Sequence, residues 1–573
     1  MAGMMKKAGG FLFYKEPKNL EGGFELLEGV NEEMMDPPDE NKPEGGSGQQ
    51  KKGRLSKKDR QNTDDNGEER HRPPKNPEFL SDKLSDNIET LRQKFHMPRN
   101  RDVSIRQFRI GWKLNACLCY IDGMIDKDTL NLSIFPRLMS KEIINEIGRR
   151  CPVDVLIENV LTVYRAEKQA RVTDIVMGIL NGASVLFIDG CDEGVIIDTA
   201  GYKTRNVQQP VTEKVVRGSQ EGFTEDLRIN ITLLRRIIKN ENLIVETSTV
   251  GKADNNTVAI LYHDKYANAR VVQEVKKRIS RIDTDFLPGE GVLEEFIQDK
   301  TYALFPQTLS TERPDMSAIF IMEGQIVLLA NGTPFALIVP ISFFRLLHSP
   351  EDGNSRWMFG SFLRIVRALG LFCATFLPGL YVAIVLFHPE VIPTELLISI
   401  TQAKEPVPFP TVVELLIIEG AFELIREGGI RVPTTIGQTL GIVGAIILGQ
   451  AAVTAGLVSP IVVIVVSITA LGSFTIPNHE LGLAIRIERF MFIAAGAILG
   501  IYGFALLIFI LCVHACSIKS FGVPFLVPVA PKTKAVPEVL IRRPIWQQKN
   551  RTDSNQAANR QRQGSNVENW SKE

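Results

Sequence analysis

One stretch limits what this chain can fold into more than any other. ALGLFCATFLPGLYVAIVLFH, residues 368–388, runs for 21 residues without a formal charge. At about 1.5 Å of rise per residue, such a helix covers roughly 30 Å, the hydrocarbon thickness of a bilayer. Three more apolar runs follow it: IGQTLGIVGAIILGQAAVTAGLV (436–458), PIVVIVVSITALGSF (460–474) and FMFIAAGAILGIYGFALLIFILCVHAC (490–516). Residues 346–516 therefore read as an all-α multi-pass membrane domain with about four to five spans.

The remainder has to be soluble, and it divides unevenly. Within 1–77, residues 31–75 are mostly Pro, Gly, Asp, Glu, Lys and Gln. They lack the apolar surface that would offset ordering entropy, so a disordered tail is expected. EFLSDKLSDNIETLRQKF places Leu80, Leu84, Ile88, Leu91 and Phe95 at helical spacing, a lead-in helix within 78–100. From 101 to 345 strand and helix patterns alternate, which predicts a two-lobed α/β domain. ASVLFIDGCDEGVIIDT (183–199) and SAIFIMEGQIVLLANGT (317–333) both read as apolar run, acid-Gly turn, apolar run, a hairpin signal in each half. Residues 517–573 form a basic C-terminal segment with a disordered end.

Charge sets the orientation. The formal net charge is zero because 66 basic and 66 acidic residues cancel, so only local balance is informative. Arg356, Arg364 and Arg367 precede the first span, whereas 389–409 holds Lys404 alone. The positive-inside rule puts the α/β domain in the cytoplasm. The basic C-terminal segment favours the same side, which needs an even number of crossings. The N-terminus carries no apolar run before a small-residue cleavage site, so insertion is expected from internal segments.

Two constellations stand out in the membrane region. Gly437, Gly441, Ala445, Gly449, Ala452 and Gly456 recur every three or four residues, one stripe on a helix. Gly496, Gly500 and Gly503 are expected on a shared face of the last run. In lipid, small residues let helix backbones approach. The second constellation is PTVVELLIIEGAFELIREGG (410–429). Glu419 and Glu423 share a helix face that Glu427 continues, and Glu414 lies about half a turn from Glu423. An unpaired carboxylate at the bilayer centre costs on the order of 2.5–3.5 kcal/mol, so this face does not meet lipid. Two readings stand. Either the helix lies at the interface with its acids paired to Arg426 and Arg431, or Glu414, Glu419 and Glu423 face water in an ion path bordered by Gly441 and Gly449. The IPN break at 476–478 is either a loop at the membrane surface or the broken helix of a transport site.

No Walker loop, GxSxG, HExxH or dinucleotide fingerprint occurs, so no enzyme and no cofactor are expected. The DGCDEG turn lacks calcium-loop spacing and reads as a hairpin tip. Scattered histidines and unspaced cysteines give neither a metal site nor a disulfide framework.

Five stretches in order resemble the GerA family of bacterial spore germination proteins, the A subunit in particular. VRGSQEGFTEDLRINITLLRRII is similar to the family's first motif, through Arg217, Gly218, Glu221, Gly222 and Glu225. LFPQTLSTERPD supplies Pro306, Gln307, Glu312, Arg313, Pro314 and Asp315. EGQIVLLANGTPFALIVP supplies Gly332 and Pro334, and the acidic stretch and SFGVPFLVPVAP with LIRRPIW complete the set. The resemblance implies an inner spore membrane protein that responds to nutrient germinants. It implies partners, a transporter-like membrane subunit and a lipoprotein subunit, and self-association as a pentamer into a gated cation channel. No nucleic acid is implied. A non-conducting scaffold subunit and a SpoVAF-type germination protein remain as alternatives.

Overall fold

The structure, a computed structural model, describes residues 78–142, 152–161, 165–201, 209–431, 449–533, 539–552 and 557–564. The expected N-terminal tail and Gly437, Gly441 and Ala445 lie outside them.

The soluble part holds two five-stranded antiparallel sheets. In the first lobe, helix α1 (Leu84–Lys94) leads into β1 (Val103–Ile110) and β2 (Leu114–Ile121). Then come β3 (Ala166–Gln169), α2 (Val172–Leu180), β4 (Ser184–Ile188) and β5 (Gly194–Ile197), with sheet order β1-β2-β4-β5-β3. Every residue of β4 is buried because apolar clusters cover both faces of the sheet. That double covering removes the alternation a half-exposed strand would show.

The second lobe follows α3 (Leu227–Ile237). It comprises β6 (Leu243–Val250), β7 (Asn256–His263), α4 (Ala269–Ser280), α5 (Glu290–Ile297), β8 (Leu309–Thr311), α6 (Pro314–Met322), β9 (Ile326–Ala330) and β10 (Ala336–Val339). Its order, β6-β7-β9-β10-β8, is the same permutation as in the first lobe. The hairpin read in 183–199 is β4–β5. The one read in 317–333 is not a hairpin: SAIFIM belongs to α6, and β9 pairs with β10 instead. Pro314 opens α6 with its φ fixed, and Asp315 sits in the first turn, where the helix dipole favours an acid.

The C-terminal part is helical. Helix α7 (Trp357–Phe387) leaves the second lobe, followed by α8 (Thr394–Lys404), α9 (Thr411–Arg431), α10 (Pro460–Phe474) and α11 (His479–Ser517). Two of these, α7 and α11, are long and apolar enough to cross a membrane, and α10 is a shorter apolar helix. The 39 residues of α11 are not straight. Gly500 takes φ 60° and ψ −141°, outside helical space. Beyond it Phe504 packs against Phe492, tilted, with ring centroids 5.1 Å apart, whereas twelve residues of straight helix would separate them by about 18 Å. Both ends of α11 also reach the second lobe: Leu481 and Ala515 join its core cluster, and Lys300 Nζ donates to Ser517 Oγ at 2.8 Å. Thus α11 is a helical hairpin with arms of about 21 and 17 residues, roughly 31 and 26 Å long.

Contacts along the helices fix their directions. The outgoing arm of α11 runs parallel to α7: Arg489 meets Ala374, Gly496 meets Gly379, and Gly500 meets Phe387. Helix α10 runs back, with Val462 in the cluster of Val382 and Gly472 against Gly370. Helix α9 also runs back, from Glu414 beside Ser459 to Arg426 beside Ser473. After α11, Ser520 Oγ donates to the Gln307 carbonyl and accepts from the Ile341 amide, so the chain ends its helical excursion on the second lobe.

Candidate functional site

The four glutamates of α9 face four different environments. Glu414 has no exposed surface; its Oε2 accepts the Ser459 amide at 2.9 Å, while Oε1 has no hydrogen-bond partner. Glu419 and Arg489 of α11, each about 1 % exposed, form an ion pair at 2.7 Å. Glu423 is shared between Arg426 and Arg486, both at 3.3 Å. Glu427 pairs with Arg431 at 2.8 Å on the exposed end of the helix. Arg426 also donates to Ser473 Oγ at 2.7 Å and lies over the rings of Phe422 and Phe474. The buried Glu419–Arg489 pair persists because each charge is matched by the other.

Arg489 has a second task. Pro378 lies inside α7 and has no N–H to give to the Ala374 carbonyl one turn earlier. Arg489 Nε donates to that carbonyl at 3.0 Å. One guanidinium therefore completes the broken hydrogen bond of α7 and neutralises Glu419 of α9 from its position on α11. Its neighbour Glu488 is 4 % exposed, and its Oε1 has no hydrogen-bond partner.

The small residues act pairwise across helices. A Cβ on Gly496 would sit 2.5 Å from the Gly379 carbonyl, and one on Gly472 equally close to the Gly370 carbonyl. Gly500 is the turn of the α11 hairpin, and Gly503 packs against Ala495 on the opposite arm, so these residues do not share one straight face with Gly496. Gly456 ends a helical turn with φ +64° while the Leu457 amide bonds the Ala452 carbonyl, a glycine C-cap. Gly449 makes an ordinary contact with Val463. Ile476 of the IPN break belongs to the second lobe's core cluster, and Asn478 caps α11 by accepting the Leu481 amide. The break is thus a connection at the lobe-facing end of the helices.

The motif residues of the soluble part hold segments together. Arg313, fully buried, bonds Asp315 and the carbonyls of Glu213 and Ser219. Glu312 Oε2 accepts the amides of Val211 and Thr212. Glu213 accepts from Thr311 Oγ1 and the Glu312 amide, and burial pushes its carboxyl up all the same. Gln307 closes the loop at Lys300 with two bonds and offers its carbonyl to Ser520. Gly218 takes φ +148° beside Asn354, and Gly222 is buried behind Glu221, which pairs with Arg236. Arg217 is exposed; Glu225 accepts the Gly332 amide on its carbonyl, with Pro334 in the following turn and Pro306 buried. At the root of α7, Arg364 and Arg367 both pair with Asp352, and Arg542 of the LIRRPIW motif bonds the carbonyls of Gly353 and Ser355.

Sequence reasoning found the acids of α9 but not their partners Arg486 and Arg489. The signal was present: two arginines and Glu488 in LGLAIRIER, just before a long apolar run, are costly unless matched elsewhere.

Comparison with known proteins gives one consistent grouping. The family model described as Bacillus/Clostridium GerA spore germination protein matches residues 89–554. Spore germination protein KA of Bacillus subtilis is 38% identical over 85% of this chain and 89% of its own length. Stage V sporulation protein AF of the same organism is 30% identical over 83% of this chain and 94% of its own. The crystal structure of the N-terminal domain of the A subunit of the Bacillus megaterium spore germinant receptor GerK3 matches 46% of this chain and 97% of that one, at 28% identity and a TM-score of 0.38.

Proposed function

The chain belongs to the GerA family of spore germination proteins, and from that premise we propose that it is the A subunit of a germinant receptor and forms a nutrient-gated cation path. In this reading it resides in the spore inner membrane with its lobes on the core side. Copies of the chain assemble as a pentamer and work with a transporter-like membrane subunit and a lipoprotein subunit. Identity to the KA protein above that to the AF protein favours the receptor subunit over the SpoVAF-type branch.

The observation that carries the channel reading is the set of ion pairs joining α9 to α11, one of them fully buried. Glu419–Arg489 and Glu423–Arg486 cross-link two helices through an apolar region. Paired, these acids attract no cation. A shift of α9 away from α11 would expose Glu414, Glu419 and Glu423 to water and create a negative path, as acidic rings do in cation channels. Gly449 would border it. The arrangement is therefore a closed state, opened when germinant binding to the complex separates the helices. Six crossings accompany this reading: α7, α9, α10 and the two arms of α11, together with the uncharged run 436–458 expected from the sequence to span, an even number that returns the C-terminal segment to the lobes.

The test is cation flux from proteoliposomes containing the full chain. E419Q/E423Q should lower flux and weaken cation selectivity relative to the unmodified chain. Unchanged conductance and selectivity would remove the pore reading. A second reading, a scaffold that assembles the receptor without conducting, is favoured by one observation: Arg313, Gln307 and Glu312 all staple segments rather than line a cavity. Assembled oligomers of the unmodified chain with no conductance would select it.

A further inference from the structure

A cavity of about 490 Å³ lies where the second lobe, the root of α7 and the C-terminal segment meet. Among its described lining residues six are basic and four acidic. The acids are all engaged. Glu323 pairs with Arg562, Asp315 with the buried Arg313, and Glu213 accepts from Thr311. Asp352, 1 % exposed, is shared by Arg364 at 3.2 Å and Arg367 at 2.7 Å. Arg542, 8 % exposed, gives its guanidinium to the carbonyls of Ser355 and Gly353 at 2.6 and 3.0 Å, and to no carboxylate among the described residues. Carbonyls satisfy its N–H groups and leave its charge uncancelled. Arg364, Arg367 and Arg542 thus bring three cations to one carboxylate, and Arg345 and Arg543 add theirs to the cavity wall. Burial and the guanidiniums of Arg364 and Arg345 hold the imidazole of His348, on the same wall, well below its usual range, which fits a positive interior. Excess charge withdrawn from water calls for an anion.

We propose that this cavity binds the phosphate headgroup of an anionic phospholipid. The surroundings select a lipid over a free phosphate. Over its first turns α7 is two-sided. Gly360 and Ser361 are buried against Asp352 and Arg542, whereas Trp357, Phe359, Phe362 and Ile365 are exposed. Ile545 on the cavity wall and its neighbour Trp546 are exposed as well. Aromatic and aliphatic side chains flanking a basic cavity suit the zone where headgroups end and acyl chains begin. A free phosphate would answer the guanidiniums and leave these apolar side chains in water. A phospholipid answers both, with its phosphate in the cavity and its chains along α7. Basic pockets on the cytoplasmic side of membrane helices take such headgroups. The bound lipid would tie the root of α7 to the C-terminal segment through Arg345 and Arg543. The proposal rests on α7 crossing the membrane, and it holds whether or not the chain conducts.

Thermal unfolding of the detergent-solubilised full chain tests it, titrated with phosphatidylglycerol, with phosphatidylcholine of the same acyl chains, or with inorganic phosphate. Phosphatidylglycerol should raise the transition saturably, and phosphatidylcholine should not. R345Q/R543Q leaves the Asp352 pairs and the Arg542 bonds in place. It should move the phosphatidylglycerol midpoint to higher concentration, about fivefold for each guanidinium removed. Should the double variant fail to fold, R543Q alone reads the same shift from an exposed side chain. Equal stabilisation by both lipids would overturn the proposal, and so would a midpoint that the variants leave unchanged. Stabilisation by inorganic phosphate to the same extent and at the same concentration would overturn the lipid as occupant. Retention in phosphatidylcholine vesicles after alkaline carbonate extraction reads the membrane crossing separately; release there would remove the setting the proposal needs.

Discussion

Arg489 shows how much one residue decides in the helical part. It replaces the donor that Pro378 cannot supply and neutralises Glu419, and it does both from a fully buried position. Arg489→Met would leave Glu419 buried without its counter-charge, at an expected cost of about 3–5 kcal/mol. Adding Glu419→Met should recover most of that loss, since a buried pair exchanged for apolar groups is often neutral. Thermal unfolding of the detergent-solubilised chain reads both. If the double variant is as unstable as the single one, the ion pair is not what Arg489 is held for. The acids of α9 are visible in the sequence because carboxylates in an apolar run are conspicuous. Their pairing is not, because Arg486 and Arg489 lie more than sixty positions away and no local period links them.

At the scale of elements, Gly500 is the position on which the hairpin of α11 turns. Its φ of 60° with ψ −141° is open to glycine and costly for other residues, and the Phe387 side chain crowds the place of a Cβ at 2.9 Å. Gly500→Ala should destabilise the helical part by about 1–3 kcal/mol. Gly482→Ala, in the same helix but with open space around it, should be neutral or stabilise by about 0.5–1 kcal/mol. Equal effects in a denaturation series would show that α11 does not depend on the turn. Hydropathy reads residues 490–516 as one span because a single glycine in an apolar run resembles the packing glycines around it. Likewise SAIFIM is apolar throughout, and an unbroken apolar run does not distinguish strand from helix. The β4–β5 hairpin is legible in the sequence because an acid-Gly turn separates its two short apolar runs.

For the whole molecule, the decisive feature is that the helices leave the second lobe and come back to it. Leu481, Ala515, Ile518 and Phe525 pack into the same core cluster as the α3 and β9 residues Leu234 and Val327. Motion of the hairpin is therefore transmitted to the lobe through shared apolar contacts rather than through a flexible linker. In the proposed topology the turn after α7 and the lobe surface lie on opposite membrane faces. In a background without reactive cysteines, a membrane-impermeant thiol reagent should reach Glu390→Cys from one side and Tyr302→Cys from the other; both side chains are exposed. Labelling of both from a single side would refute the crossing of α7.

The sequence by itself determined the division into an α/β part and an apolar helical part, the β4–β5 hairpin, and the family. These follow from local quantities: the length of uncharged runs, turn chemistry and short motifs that survive without their surroundings. Tertiary structure alone decided which arginine answers which glutamate, that a 39-residue helix is two arms, and that the motif residues around Arg313 and Gln307 bind distant segments to one another. Those outcomes depend on burial and on contacts between residues far apart in the chain. The free energy of a buried charge or a strained glycine is set by what surrounds it in space, and no window along the sequence contains that.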